Sequence, residues 1–80
     1  MIITEHTVPF CINAHTVRIA EEYAKKNTLS NTDALRFFMS TKTYELLIDP
    51  ESYLYLESPE YILDMLDAEL SEDWDRWYQI

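Results

Sequence analysis

This chain of 80 residues contains no glycine. At average usage, about five or six would be present. Glycine supplies positive φ without a steric penalty, and two-residue hairpins depend on it. Its absence puts strands joined by tight turns at a disadvantage. Corners must be built from Asn, Asp, Ser and Pro, which favours helices joined by capped turns. The same absence excludes the Walker A loop, the dinucleotide fingerprint and the nucleophile elbow.

A chain this short forms one domain and is marginal when alone. With 48% hydrophobic and 14% aromatic residues, it is too apolar for a disordered acidic tail. A single small acidic helical domain over 1–80 is expected, its core supplemented by aromatic packing or by a partner. One cysteine, Cys11, forms no intrachain disulfide and points to a reducing compartment. No basic region followed by a long apolar run opens the chain, and no stretch nears the ~18 apolar residues of a membrane span. A soluble, cytoplasmic protein is expected.

The pattern along the chain predicts an all-α bundle of four to five short helices, with a small two-stranded addition left open. Residues 1–9 are β-prone and interrupted by Pro9, and read as a flexible arm or an edge strand. Over 12–26, Ile12, Thr16, Ile19 and Tyr23 recur at helical spacing, with Ala20 widening the stripe. Glu21 with Lys25 and Glu22 with Lys26 form i, i+4 pairs on the solvent side. Ser30 reads as an N-cap with Asp33 three residues on, opening a helix over 31–39 with Ala34, Leu35, Phe38 and Met39 inside. Ser40 reads as the cap of a helix over 41–48 that buries Tyr44, Leu47 and Ile48, and Asp49-Pro50 ends it. Tyr53-Leu54-Tyr55-Leu56 is the one strand-like run, placed to pair with residues 1–4 or to cross the helices. Ser58-Pro59 starts a helix over 59–70 with Ile62, Leu63, Leu66 and Leu70 inward. Ser71 opens a last short helix, or a partner-dependent tail over 71–80, with Trp74, Trp77 and Tyr78.

Charge is sorted along the chain. Residues 1–42 carry four acids and five bases; residues 43–80 carry eleven acids and one base, Arg76, and together they give −9. Such a surplus repels itself unless something tolerates or uses it. Solubility is the plainer explanation; a basic partner surface is the functional one.

Candidate chemistry is thin. Cys11 and His15 are i, i+4 with His6 nearby, but a structural zinc site wants four ligands. The same pair lacks the orienting group that nucleophilic catalysis requires. Glu60, Asp64 and Asp67 recur at i, i+4, i+7 and read more simply as a solvated helix face than as an acid–base pair, which needs a cleft. Asp73 and Asp75 do not fit a calcium loop. Bases are scattered, with Lys25, Lys26 and Arg36 as the only small positive patch, so direct nucleic-acid binding is disfavoured. No catalytic residue, metal or cofactor is expected. The aromatics Tyr53, Tyr55, Tyr61, Trp74, Trp77 and Tyr78, mixed with acids, have the composition of a binding surface. Core packing is the competing account for Tyr53, Tyr61 and Trp74. Exposure is expected for Trp77 and Tyr78, because termini are usually exposed.

The runs Leu29 to Phe38 (LSNTDALRFF), Ser40 to Leu47 (STKTYELL) and Ser58 to Ile62 (SPEYI) resemble small uncharacterised bacterial proteins from loci encoding ADP-ribosyltransferase-like toxins. The resemblance spans about residues 20–70 and rests on caps and core positions. It implies an antitoxin-like or accessory protein that acts by binding, and it brings no catalytic residues. The expected function is therefore a non-enzymatic protein-binding inhibitor that meets a basic partner, a toxin, with its acidic C-terminal half. Glu57, Glu60, Asp64 and Asp67 would steer the encounter, and Trp74, Trp77 and Tyr78, with Asp73 and Asp75, would anchor it. An acidic DNA mimic that blocks a nucleic-acid-binding defence protein and a structural subunit of a complex are the alternatives. A homodimer is left open, and no membrane partner is expected.

Overall fold

The computed structural model describes residues 7–79. Helix α1 (Thr7–Asn27) is followed by α2 (Asn31–Met39), α3 (Lys42–Leu47), two 3₁₀ turns (Pro50–Ser52 and Leu54–Leu56), α4 (Pro59–Leu70) and α5 (Trp74–Gln79). The class is all-α, with no strand among the described residues. The arm expected over 1–9 is corrected in its last part, because residues 7–9 already belong to α1. Pro9 is the third residue of the helix, where the backbone N–H has no intrahelical acceptor, so proline costs nothing there. The rest of that arm, and its pairing with 53–56, lie outside the described residues.

The starts of α2, α3 and α4 each have a chemical cause. Ser30 Oγ accepts from Asp33 N–H at 3.1 Å and opens α2. Ser58 Oγ accepts from Tyr61 N–H at 3.2 Å, with Pro59 at the first position of α4. Caps of this kind contribute about 1 kcal/mol each. The cap of α3 is Thr41, whose Oγ1 accepts from Tyr44 N–H, whereas Ser40 closes α2 and gives its hydroxyl to Phe37 C=O.

Helix ends show what the lack of glycine requires. After α1, Leu29 N–H donates to Ala24 C=O and Thr28 takes φ 56°. After α4, Asp73 N–H donates to Ala68 C=O and Glu72 takes φ 56°. Both are Schellman closures, in which the left-handed position is usually glycine. Tyr53, between the two 3₁₀ turns, is the third such residue, at φ 57°. A side chain in this region costs roughly 1–2 kcal/mol, most for a β-branched residue such as Thr28.

The core gathers Ile19, Phe38, Leu47, Leu54, Tyr55, Ile62, Met65, Leu66, Ala68 and Trp77. A smaller cluster of Ala20, Ala24 and Ala34 brings α1 and α2 close together, and Tyr23 stacks on Phe37 with ring centroids 5.0 Å apart. Three of the expected inner residues are exposed instead: Met39, Ile48 and Leu70. Each ends a helix, where the chain turns away from the core. The 53–56 run is a 3₁₀ turn, with Leu54 and Tyr55 adjacent and both buried while Tyr53 and Leu56 face out.

Contacts fix the helix directions. The short link over residues 28–30 folds α2 back against α1, where Ala20 and Ala24 pack with Ala34. His15 meets Glu57, Arg18 meets Glu60 and Lys26 meets Asp67, so α1 and α4 run parallel in a fixed register.

Candidate functional site

The acids expected to steer a partner separate into two groups once folded. Glu60 lies 4.0 Å from the Arg18 guanidinium and Asp67 lies 3.5 Å from Lys26 Nζ, both across the α1–α4 seam. Asp64 sits one turn away, where Arg76 Nη2 donates to its carbonyl at 3.4 Å. The carboxylates of Glu60 and Asp67 therefore each have a base from another element close by, whereas at Asp64 the base meets the backbone carbonyl and the carboxylate enters no ion pair among the described residues. The bases of α1 divide differently from the expected i, i+4 pairing. Arg18 and Lys25 both approach Glu22, while Lys26 turns to Asp67. These pairs are solvent-exposed, so each contributes little.

Trp77 corrects the expectation of terminal exposure. It is 8% exposed and belongs to the core, while Tyr78 is 77% exposed and Trp74 is partly exposed. The rings of Trp74 and Tyr78 both meet Trp77 edge-on, at 5.7 and 5.0 Å. Trp77 Nε1–H donates to Thr43 Oγ1 at 3.0 Å, and the Thr43 hydroxyl donates to Glu69 Oε1 at 2.7 Å. Glu69 also accepts from the backbone N–H groups of Lys42 and Thr43, at 2.8 Å each. A carboxylate of α4 thus caps the N-terminus of α3 and, through a fully buried threonine, holds the indole of α5. No buried side-chain nitrogen or oxygen lacks a partner among the described residues. Glu69 was missed in the sequence, yet a signal existed. An acid in the last turn of α4 sits at the negative end of the helix dipole, an unfavourable place unless it serves another element.

Glu57 has a different setting. Its carbonyl accepts from His15 Nε2–H at 2.8 Å, which ties the end of the 45–57 segment to α1. Its carboxylate, like those of Glu45, Asp49 and Glu51, enters no ion pair among the described residues. Asp73 is spent on capping, its Oδ1 accepting from Arg76 N–H at 3.3 Å. Asp75 lies in the exposed first turn of α5.

Cys11 is half-buried against the core, and the His15 nitrogen is committed to Glu57. Among the described residues no three His, Cys, Asp or Glu side chains converge as a metal site, and no helix is long and apolar enough to cross a membrane. A shallow apolar depression of about 100 Å³ lies between α1 and α2, lined by Val17, Ala20, Glu21, Asn31 and Leu35. Small-molecule sites usually occupy ~300–1,000 Å³.

No protein-family model, curated protein or solved structure matches this chain.

Proposed function

We propose that this chain is a non-enzymatic, antitoxin-like inhibitor that acts in the cytoplasm by binding a basic protein with its acidic C-terminal half. The observation that carries this reading is the fate of the charge surplus. Folding pairs Glu60 and Asp67 with bases of α1 and uses Glu69 as a cap, yet Glu45, Asp49, Glu51, Glu57, Asp64, Glu72 and Asp75 have no ion-pair partner among the described residues. Charge of one sign left on a folded surface steers a partner of the opposite sign and raises the association rate. Exposed Trp74, Tyr78, Tyr53 and Leu56 supply apolar contact on the same half of the chain. The antitoxin class comes from the resemblance in the segments 29–38, 40–47 and 58–62. A toxin that handles a phosphate-rich cofactor presents the kind of basic cleft this half complements.

The test is to express the reading frame adjacent to this one alone and together with this chain, in the host. Growth arrest relieved by the chain, with a complex that weakens as salt rises, is expected. Growth unaffected by the neighbour, or arrest that persists with no complex formed, would contradict the proposal.

A further inference from the structure

One segment of the acidic half where apolar exposure and unpaired charge coincide is the link from α3 to α4. Tyr53 is 62% exposed, Leu56 is 55% exposed, and Ile48 is exposed at the end of α3. Tyr53, at the left-handed position between the two turns, and Leu56 are both exposed, while Leu54 and Tyr55 between them anchor the segment in the core. The same stretch of chain carries Glu45, Glu51 and Glu57, without an ion-pair partner among the described residues. No lysine or arginine occurs between Lys42 and Arg76.

The segment is also held in shape. Ser52 Oγ donates toward Leu46 C=O and Asp49 C=O and accepts from Leu54 N–H. His15 fixes the Glu57 carbonyl. A surface ordered before binding loses less entropy when it binds. The aromatics of α5 are a weaker candidate, since Trp74 and Tyr78 already lean on Trp77 and Arg76 lies among them.

We infer that Ile48, Tyr53 and Leu56, rimmed by Glu45, Glu51 and Glu57, form the docking surface for a protein segment bearing an apolar stripe flanked by lysine or arginine. This inference rests on the proposed reading of a basic partner and places the contact on the α3–α4 link instead of on the α4 face. Charge complementarity selects the occupant. A neutral apolar partner would leave three acids desolvated beside it without compensation.

The probe is a synthetic amphipathic peptide of leucine and lysine at helical spacing, titrated into the full chain and followed by amide chemical shifts. Shifts concentrated on residues 45–57 are expected. Tyr53→Asn removes the ring and tolerates the left-handed backbone, and it should weaken affinity by about thirtyfold, the scale of an anchor residue. Asp64→Asn with Asp67→Asn should change affinity by less than about threefold, as rim or internally paired charges do. Binding that maps to α4 or α5, or that ignores Tyr53→Asn, overturns this surface and leaves the basic-partner reading standing. No binding at low salt overturns both.

Discussion

The α1–α4 seam and the α3–α4 link are built from the same acidic half of the chain, and folding treats their charges in opposite ways. At the seam, Glu60 and Asp67 face Arg18 and Lys26 from the nearly neutral half, and the parallel register of the two helices lines them up. At the link, Glu45, Glu51 and Glu57 meet no base among the described residues, and exposed Tyr53 and Leu56 fall between Glu51 and Glu57 in the chain. A charge count along the sequence therefore overstates what is free to act. The acids that matter for a partner are those that the fold leaves over, and tertiary register decides which these are.

The largest effect should come from the core side of this contrast. Trp77→Ala removes a buried ring and the indole donor, and should lower unfolding stability by about 3–5 kcal/mol, read from urea denaturation. Tyr53→Asn should stay within about 0.5 kcal/mol of the parent, because its side chain is on the surface. Equal losses at the two positions would break the distinction between a core aromatic and a surface one.

Glu69→Ala comes next. It removes the acceptor for Lys42 N–H, Thr43 N–H and the Thr43 hydroxyl. A loss of about 2 kcal/mol is expected, combining a lost cap with a disturbed buried network. Glu57→Ala, whose carboxylate has no such partners, should change stability by less than about 0.5 kcal/mol in the same assay.

Much of the fold was legible in the sequence because its causes are local. Ser30, Ser58 and Pro59 act within one turn of themselves, and the absence of glycine argued for helices. What escaped is long-range. The run Tyr53-Leu54-Tyr55-Leu56 reads as strand-like, to pair with residues 1–4 or to cross the helices, whereas the structure makes a 3₁₀ turn of Leu54–Leu56, with neighbouring residues buried. Trp77 was placed outside because it lies near the chain's end, and its partner Thr43 is 34 residues away. Glu57, Glu60, Asp64 and Asp67 read in the sequence as one steering group, but spacing along α4 carries no information about which of its acids α1 meets.

The backbone sharpens the comparison further. Thr28→Gly should raise stability by about 1 kcal/mol, since it relieves a β-branched residue at φ 56°. Tyr53→Gly should be equally tolerated in thermal unfolding and yet weaken peptide binding as strongly as Tyr53→Asn. A clear loss of stability from either glycine would contradict the left-handed assignment. The smallest effect belongs to the seam. A double-mutant cycle on Lys26→Ala and Asp67→Asn should return a coupling of at most about 0.5 kcal/mol, because both side chains are largely in solvent.

The central claim, that acids left unpaired by the fold do the steering, is tested most directly by comparing two variants of identical net charge. Glu51→Gln with Glu57→Gln neutralises the link; Glu60→Gln with Asp67→Asn neutralises the seam. The measurement is the association rate of each with the leucine–lysine peptide at low and high ionic strength. The account predicts that the link variant associates about tenfold more slowly at low salt and loses most of its salt dependence, while the seam variant stays within about twofold of the parent. Equal slowing in the two variants, or a larger effect at the seam, would contradict it.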